Sequence, residues 1–413
     1  MEEVLRGQRV RRAALAGVRV ADFSWVLGGP ICTKYLALMG AEVIKVETRR
    51  RIDIFRMRAR GADGQPLVNQ GPSFNAINHS KLSCTLNLTK PEAVDIAKRL
   101  VGVSDVVIEN FAFGVMDRLG LGYAVLRKIN PAIIMLSSSG LGRTGPDREV
   151  VAYGNNLQAF TGLTGLIGYE GGRHRGIGTS WTDQLTGVTA AFAILAALHH
   201  RRRTGAGQFI DLSMTEATLA QLPEAILDYT MNGRVQRPMG NQHGTCAPHN
   251  CYPCIGHDKW VAITVQNNAE WRGLCQAMER PDLAEDERFA DQYRRWLNRA
   301  ALDAIVADWT RQHTSYGAME ILQNAGVPAG PSLNAKELVE DPQLRSRGLF
   351  VEADHPEAGR KQGYTLPWQM DPAPALNYKA APLLGEHNEY VFSKPLGLDL
   401  GEIERLRAEL VIY

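Results

Sequence analysis

Short apolar runs alternate with helix-length stretches through roughly the first 140 residues, and no other feature limits the fold of this chain so tightly. The apolar runs stand at Arg19–Trp25, Glu42–Glu47, Cys84–Leu88, Asp105–Phe111 and Ala132–Ser138. Helical stretches separate them at Pro30–Met39, Lys90–Leu100 and Val115–Ile129. Strands apolar on both faces and joined through helices predict an α/β fold with a parallel sheet covered on both sides. The first turn, Val26-Leu27-Gly28-Gly29-Pro30, places proline where a helix start accepts it. Ligands of such sheets collect at the carboxyl ends of the strands. That rule nominates the loops Val26–Pro30, Glu47–Arg51, Asn110–Gly114 and Ser139–Arg143.

A nicotinamide-dependent oxidoreductase is one reading of this pattern, with Glu47 about twenty positions after the glycines. The full G-x-G-x-x-G fingerprint is missing, which leaves that reading weakly supported. The next stretch, 48–65, carries Arg49, Arg50, Arg51, Arg56, Arg58 and Arg60. It reads either as a solvated loop or as a rim for phosphate groups.

A glycine-rich run from Gly162 to Gly178 leads into a long apolar helix. Thr182 can cap that helix, which puts Asp183 in its first turn, facing unpaired N–H groups and the positive dipole end. Asp183 is then either an ordinary first-turn aspartate or a carboxylate nucleophile. The helix runs to Arg203 and stops at Thr204-Gly205; a strand at Gln208–Ser213 and a helix at Met214–Tyr229 follow. A connection rich in Pro, Gly, His and Cys, 234–256, leads to an α+β insertion. The expected organisation is 17–232 as the first part of a large domain, 233–330 as linker and small domain, and 331–413 as a returning segment.

A net charge of +2 argues against a nucleic-acid binder driven by bulk charge. The N-terminus lacks the apolar run of a signal peptide, and Val188–Leu198 is too short to span a bilayer. Six cysteines do not make a disulfide framework at this length, so the expected compartment is the cytoplasm. Cys246, Cys251 and Cys254 with His243 and His249 contain one C-x-x-C and no second, and no metal site is expected. Ser137-Ser138-Ser139 reads as the end of a strand, and His387 as a surface turn.

Several motifs occur in a telling order. They are GVRVADFSWVLGGP (17–30), GAEVIKVE (40–47), DVVIENF (105–111) with Asp117-Arg118-Leu119-Gly120, and GLGRTGP (140–146). TGAGQFIDLSM (204–214), AGVPAGP (325–331) and APLLGEH (381–387) complete the series. Over nearly its whole length the chain resembles the class III CoA-transferases, the formyl-CoA and carnitine CoA-transferase type. The resemblance implies a Rossmann-like large domain built from both chain ends, a smaller α+β domain and an interlocked dimer. It implies no permanently bound cofactor, with a coenzyme A thioester as substrate. By position, the catalytic residue is Asp183. The CoA contacts are Leu27, Gly28, Thr48, Leu86, Asn87, Leu88, Thr89, Asn110, Phe111, Ala112, Arg118, Ser139, Gly140 and Gly142. Some relatives have Gln and Arg where this chain has Leu27 and Thr48, so Arg49 or Arg50 is expected to meet the phosphates.

The implied chemistry is a mixed anhydride on Asp183, then an aspartyl-CoA thioester, then return of CoA to the acceptor acid. It requires an ionised carboxylate, which an ordinary Asp pKa of about 3.9 supplies. The expected donor is succinyl-CoA and the acceptor an aromatic or dicarboxylic acid such as benzylsuccinate. Related α-methylacyl-CoA racemases need a second acid–base group near position 155, where this chain has Asn155 and Asn156. The alternatives are therefore a racemase, or one subunit of a hetero-oligomeric transferase in place of a homodimer.

Overall fold

The computed structural model describes residues 13–370 and 377–413. Most of the arm expected at 1–16, with Arg6, Arg9, Arg11 and Arg12, lies outside the described residues. By their contacts, the described residues form two compact units.

The first unit gathers the chain up to Leu163, Gly176–Arg234 and Gly348–Tyr413. Its frame is β1 (Arg19–Asp22), α1 (Gly28–Leu38), β2 (Glu42–Glu47), α2 (Pro72–Asn78), β3 (Leu82–Thr85), α3 (Pro91–Gly102) and β4 (Val106–Glu109). The chain continues through α4 (Val115–Arg118), α5 (Tyr123–Ile129), β5 (Ile134–Ser139), α6 (Gly154–Phe160), α7 (Leu163–Leu166, which from Thr164 on belongs to the second unit), α8 (Trp181–Thr204), β6 (Phe209–Ser213), α9 (Met214–Leu219) and α10 (Pro223–Asn232). The six strands form one parallel sheet in the order β3-β2-β1-β4-β5-β6. Neighbouring residues serve opposite faces. Ala21, Ile44 and Val107 join one core cluster with Ile96 and Leu100 of α3, and with Phe392 and Ile403 from the end of the chain. Val20, Val43 and Val106 join the other with Leu36 of α1 and Ile194 of α8. Full burial on both faces is what near-continuous apolar strands require.

Several expected elements are shorter than drawn from the sequence, each for a local reason. β1 ends at Asp22 because its Oδ1 accepts from the Ser24 N–H (2.9 Å) and the Ser24 hydroxyl (2.5 Å), which turns the chain. The helix expected over Val115–Ile129 is two helices, broken where Gly120 takes φ +71°. The helix expected over Met214–Tyr229 breaks before Pro223, which has no N–H to continue it. α2 went unread, although Pro72 marks its first turn. Arg56, grouped by sequence with the basic loop, is fully buried and belongs to no rim. Its guanidinium forms a forked ion pair with Glu47 at 2.8 Å on both oxygens and lies over the Phe74 ring. His387 lies in the expected turn but is half-buried there, and its Nδ1 accepts from the Ser83 N–H at 3.3 Å.

α1 and α8 cross in close contact. A Cβ on Gly187 of α8 would stand 2.5 Å from Ile31 Cγ2 and 2.9 Å from the Gly28 carbonyl of α1. Only glycine allows this approach.

The second unit takes Thr164–Arg175 and Val235–Arg347. An antiparallel sheet of β7 (His249–Pro253), β8 (Trp260–Thr264) and β9 (Ala329–Ser332) backs a helical core around Trp271, Phe289, Leu302 and Leu322. The stretch 246–254, expected as a linker, is partly strand: Cys251 pairs with Ala262 across β7 and β8. β9 begins two residues before the expected return at 331 and belongs to this sheet. Among the described residues no group of three His, Cys, Asp or Glu side chains is placed to hold a metal. Among the described residues no helix is long and apolar enough to cross a membrane.

Candidate active site

The strand order reverses between β1 and β4, which leaves a crevice at their carboxyl ends. Asn110, just past β4, ties the two loops there. Its Oδ1 accepts from the Trp25 N–H and its Nδ2 donates to the Trp25 carbonyl, both at 2.9 Å. Beneath lies a buried charged group. Asp22 accepts from Ser24 and from Thr33 (2.6 Å) and faces Lys81 at 3.5 Å, while Lys45 donates to the Ser24 carbonyl at 2.6 Å. Burial alone would raise the Asp22 pKa, but Lys81, Lys45 and the two hydroxyls outweigh it and hold it below the usual value. Burial in turn pushes Lys81 down to about 7, against the pull of Asp22.

α1, α6 and α8 all begin beside Asp183. Oδ1 lies against Gly28, the first residue of α1, and Oδ2 against Gly154, the first residue of α6. None of the three helix starts carries a side-chain cap, so their first-turn N–H groups remain available to a ligand. Thr182 was expected to cap α8; Ser180 occupies the cap position instead. Thr182 is buried inside the first turn, with no partner for its hydroxyl. Asp183 keeps its first-turn place, and its environment is less polar than the sequence suggested. Burial raises its pKa to about 6, opposed by the N–H groups of Gly28 and of Asp183 itself. At pH 7 the carboxylate is still roughly 90% ionised.

The other residues expected to bind a ligand stand at the same edge of the sheet in unequal ways. Leu27 is the cap residue of α1 and Gly28 its first residue. Thr48 and Arg49 follow β2, and Arg49 is exposed. Leu86, Asn87, Leu88 and Thr89 follow β3. Leu86 is core, and Asn87 is spent on the end of the chain through the Leu410 carbonyl at 3.1 Å, so only the backbone and Thr89 face outward. Phe111 meets the Trp25 ring edge-on at 6.1 Å, Ala112 is exposed, and Arg118 is exposed at the end of α4. Ser139 ends β5, and Gly140 and Gly142 follow it; Thr215 donates twice to the Gly140 carbonyl, through its N–H at 3.0 Å and its hydroxyl at 2.9 Å.

Sequence reasoning missed the polar residues that hold these loops. Arg143 joins Glu109 (3.0 Å), Ser137 (2.7 Å) and Asp117 (3.1 Å), and its N–H donates to Asp211. Glu109 is buried under it, its pKa raised by burial against the opposing bonds from Ser137, Phe111 N–H and Arg143. A charged residue inside an apolar strand was the available signal for Asp22, Lys45 and Glu109.

Two outcomes follow from this geometry. A Cβ on Gly154 would lie 2.0 Å from Asp183 Oδ2. Gly154→Ala is expected to displace the carboxylate and lower kcat/KM by roughly 10²-fold while circular dichroism stays unchanged. Asp183 binds its proton more tightly folded than unfolded, so its contribution to stability falls as pH rises from about 4 through about 6. Asp183→Asn is therefore expected to be the more stable form at pH 7, by on the order of 1–3 kcal/mol, and equal to the parent below pH 4. Denaturant unfolding at both pH values checks this.

Comparison with known proteins shows the family of the chain. The description of CoA-transferase family III matches residues 15–388. A succinyl-CoA–D-citramalate CoA-transferase of Chloroflexus aurantiacus is 34% identical over 96% of this chain and 98% of its own. A succinyl-CoA:glutarate CoA-transferase of Mus musculus is 32% identical over 96% of this chain and 90% of its own. The crystal structure of a CAIB/BAIF family protein from Brucella suis superposes with a TM-score of 0.83 at 31% identity, covering 93% of this chain and all of that one. With the six-stranded parallel sheet and this extent of likeness, the chain belongs to CoA-transferase family III and is a CoA-transferase.

Proposed function

We propose that this enzyme moves CoA from succinyl-CoA to a dicarboxylic acid with Asp183 as nucleophile. The observation that carries the reading is the Asp183 carboxylate held between Gly28 and Gly154 where three helices begin. Relatives named for succinyl-CoA and for citramalate, glutarate or mesaconate support the substrate class.

Asp183 attacks the thioester carbonyl; the C–S bond breaks, CoA thiolate leaves, and a mixed anhydride forms. The thiolate attacks the aspartyl carbonyl, releases succinate and leaves an aspartyl-CoA thioester. The acceptor carboxylate attacks that thioester, again expelling thiolate and forming a second anhydride. The thiolate then takes the acceptor acyl group and Asp183 returns as carboxylate. Protons balance without an external acid or base. Each tetrahedral oxyanion is met by first-turn N–H groups of α1 and α6, which cost no reorganisation. Burial favours the anhydride over water, at the cost of a raised pKa. A racemase would need a further acid–base group; at the start of α6 stand Asn155 and Asn156, both exposed amides that do not titrate.

The CoA thioester lies along the loops after β1 to β5. Arg49 and Arg118, exposed and held by no ion pair among the described residues, meet its phosphates. Arg50 is already engaged with Thr89 at 3.2 Å.

A second copy of the chain covers the apolar faces that the first unit leaves open. Val188 and Phe192 of α8 are 52% and 73% exposed, and Leu227, Tyr229 and Met231 of α10 are exposed too. An interlocked homodimer accounts for them.

Incubation with succinyl-CoA and a panel of free acids, benzylsuccinate included, is expected to yield new thioesters from dicarboxylic acids. Asp183→Ala should lose roughly 10³-fold or more in rate, and mass spectrometry of the parent should find CoA on Asp183. New thioesters formed undiminished by Asp183→Ala would overturn the nucleophile. Sedimentation is expected to give twice the chain mass, and Phe192→Asp to shift it toward the monomer.

A further inference from the structure

The loop that delivers Gly28 to Asp183 contains a residue in an unfavourable conformation. Val26 has φ +63°, in the left-handed region where a β-branched residue is a true outlier. Strain of this kind persists only where neighbours impose it. Two side chains do so from either side. The Val26 N–H donates to Asp53 Oδ2 at 2.9 Å. Asn110 grips both the N–H and the carbonyl of Trp25, the residue before. Asp53 is 5% exposed, and among the described residues it has no ion-pair partner. Its other oxygen accepts from the Phe55 N–H at 2.9 Å. A buried carboxylate that spends both oxygens on backbone N–H groups shapes a loop. Two residues on from Val26 comes Gly28, the first residue of α1, and Asp183 Oδ1 lies against it, 3.6 Å from where a Cβ on Gly28 would stand.

We propose that Asp53 is a positioning residue: it holds Val26 in the left-handed conformation and so aims the Gly28 N–H at Asp183. This inference rests on Asp183 being the nucleophile only for its effect on turnover; the effect on the carboxylate itself stands apart from that reading. The Gly28 N–H stabilises the charged form of Asp183 against burial. The other ionisable groups on elements packed against α8 are Cys32, Lys34 and Tyr35 of α1, Asp211 of β6 and Glu216 of α9; α6 and β5 carry none. None of them shifts Asp183: burial raises its pKa and the N–H groups of Gly28 and of Asp183 itself oppose that, so the placement of Gly28 acts on its protonation.

The test needs no turnover. The pH at which the stability difference between Asp183→Asn and its parent stops growing and levels off reports the pKa of Asp183 in the folded chain. In an Asp53→Ala background that pH is expected to rise by about 0.5–1 unit. Adding Val26→Gly, which adopts positive φ unaided, is expected to bring it back. General loosening of the fold would not be repaired by glycine. If Asp53→Ala does not fold, Val26→Pro serves instead: it keeps Asp53, forbids positive φ and is expected to give the same rise. An unchanged levelling-off pH in these backgrounds overturns the proposal, as does a rise that Val26→Gly fails to reverse. The acid limb of kcat/KM is expected to move with the linkage value. If the linkage value moves and the limb stays, Asp53 positions the carboxylate as proposed and the nucleophile assignment fails.

Discussion

The close crossing of α1 over α8 is the constraint on which the rest of the site depends. Gly187 permits it, because any side chain there would run into Ile31 and the Gly28 carbonyl. With the two helices this near, the start of α1 falls beside the first turn of α8, and Gly28 meets Asp183 across the gap. The start of α6 closes the other side through Gly154. Three helix N-termini then share one carboxylate, which fills the space a side chain on Gly154 would need.

That arrangement trades two electrostatic effects against each other. Removing the carboxylate from water raises its pKa to about 6. Backbone N–H groups keep the charged form populated without bringing in a cation that would blunt it. Three buried cations near this edge of the sheet are engaged elsewhere: Lys45 holds the Ser24 carbonyl, Lys81 faces Asp22, and Arg56 is paired with Glu47. Those groups shape the loops after β1 and β2, so the charged residues here serve geometry and the neutral backbone serves the charge.

Much of the architecture was legible from pattern. Glu42–Glu47 was read to the residue, because Gly40 before it and the basic turn after it mark both ends. Strand ends governed by side chains were not: Asp22 stops β1 three residues early through bonds that spacing does not encode. Breaks at Gly120 and Pro223 were visible as residues but not as outcomes, since either residue is tolerated within a longer helix in some settings. Arg56 was misread because a run of arginines looks solvated, whereas burial depends on Glu47 and Phe74, nine and eighteen residues away.

At the site the division is the same. The sequence by itself determined the parallel α/β layering, the strand-end loops and Asp183 in the first turn of a long helix, because these follow from local periodicity and helix-end chemistry. Tertiary structure alone decided what surrounds that carboxylate. Gly28, Gly154 and Asp183 are brought together across more than 150 positions by the strand order and one glycine-permitted crossing. The raised pKa, the strain at Val26 and the hold of Asp53 arise from that long-range packing, in which burial and hydrogen-bond geometry depend on residues no local window contains.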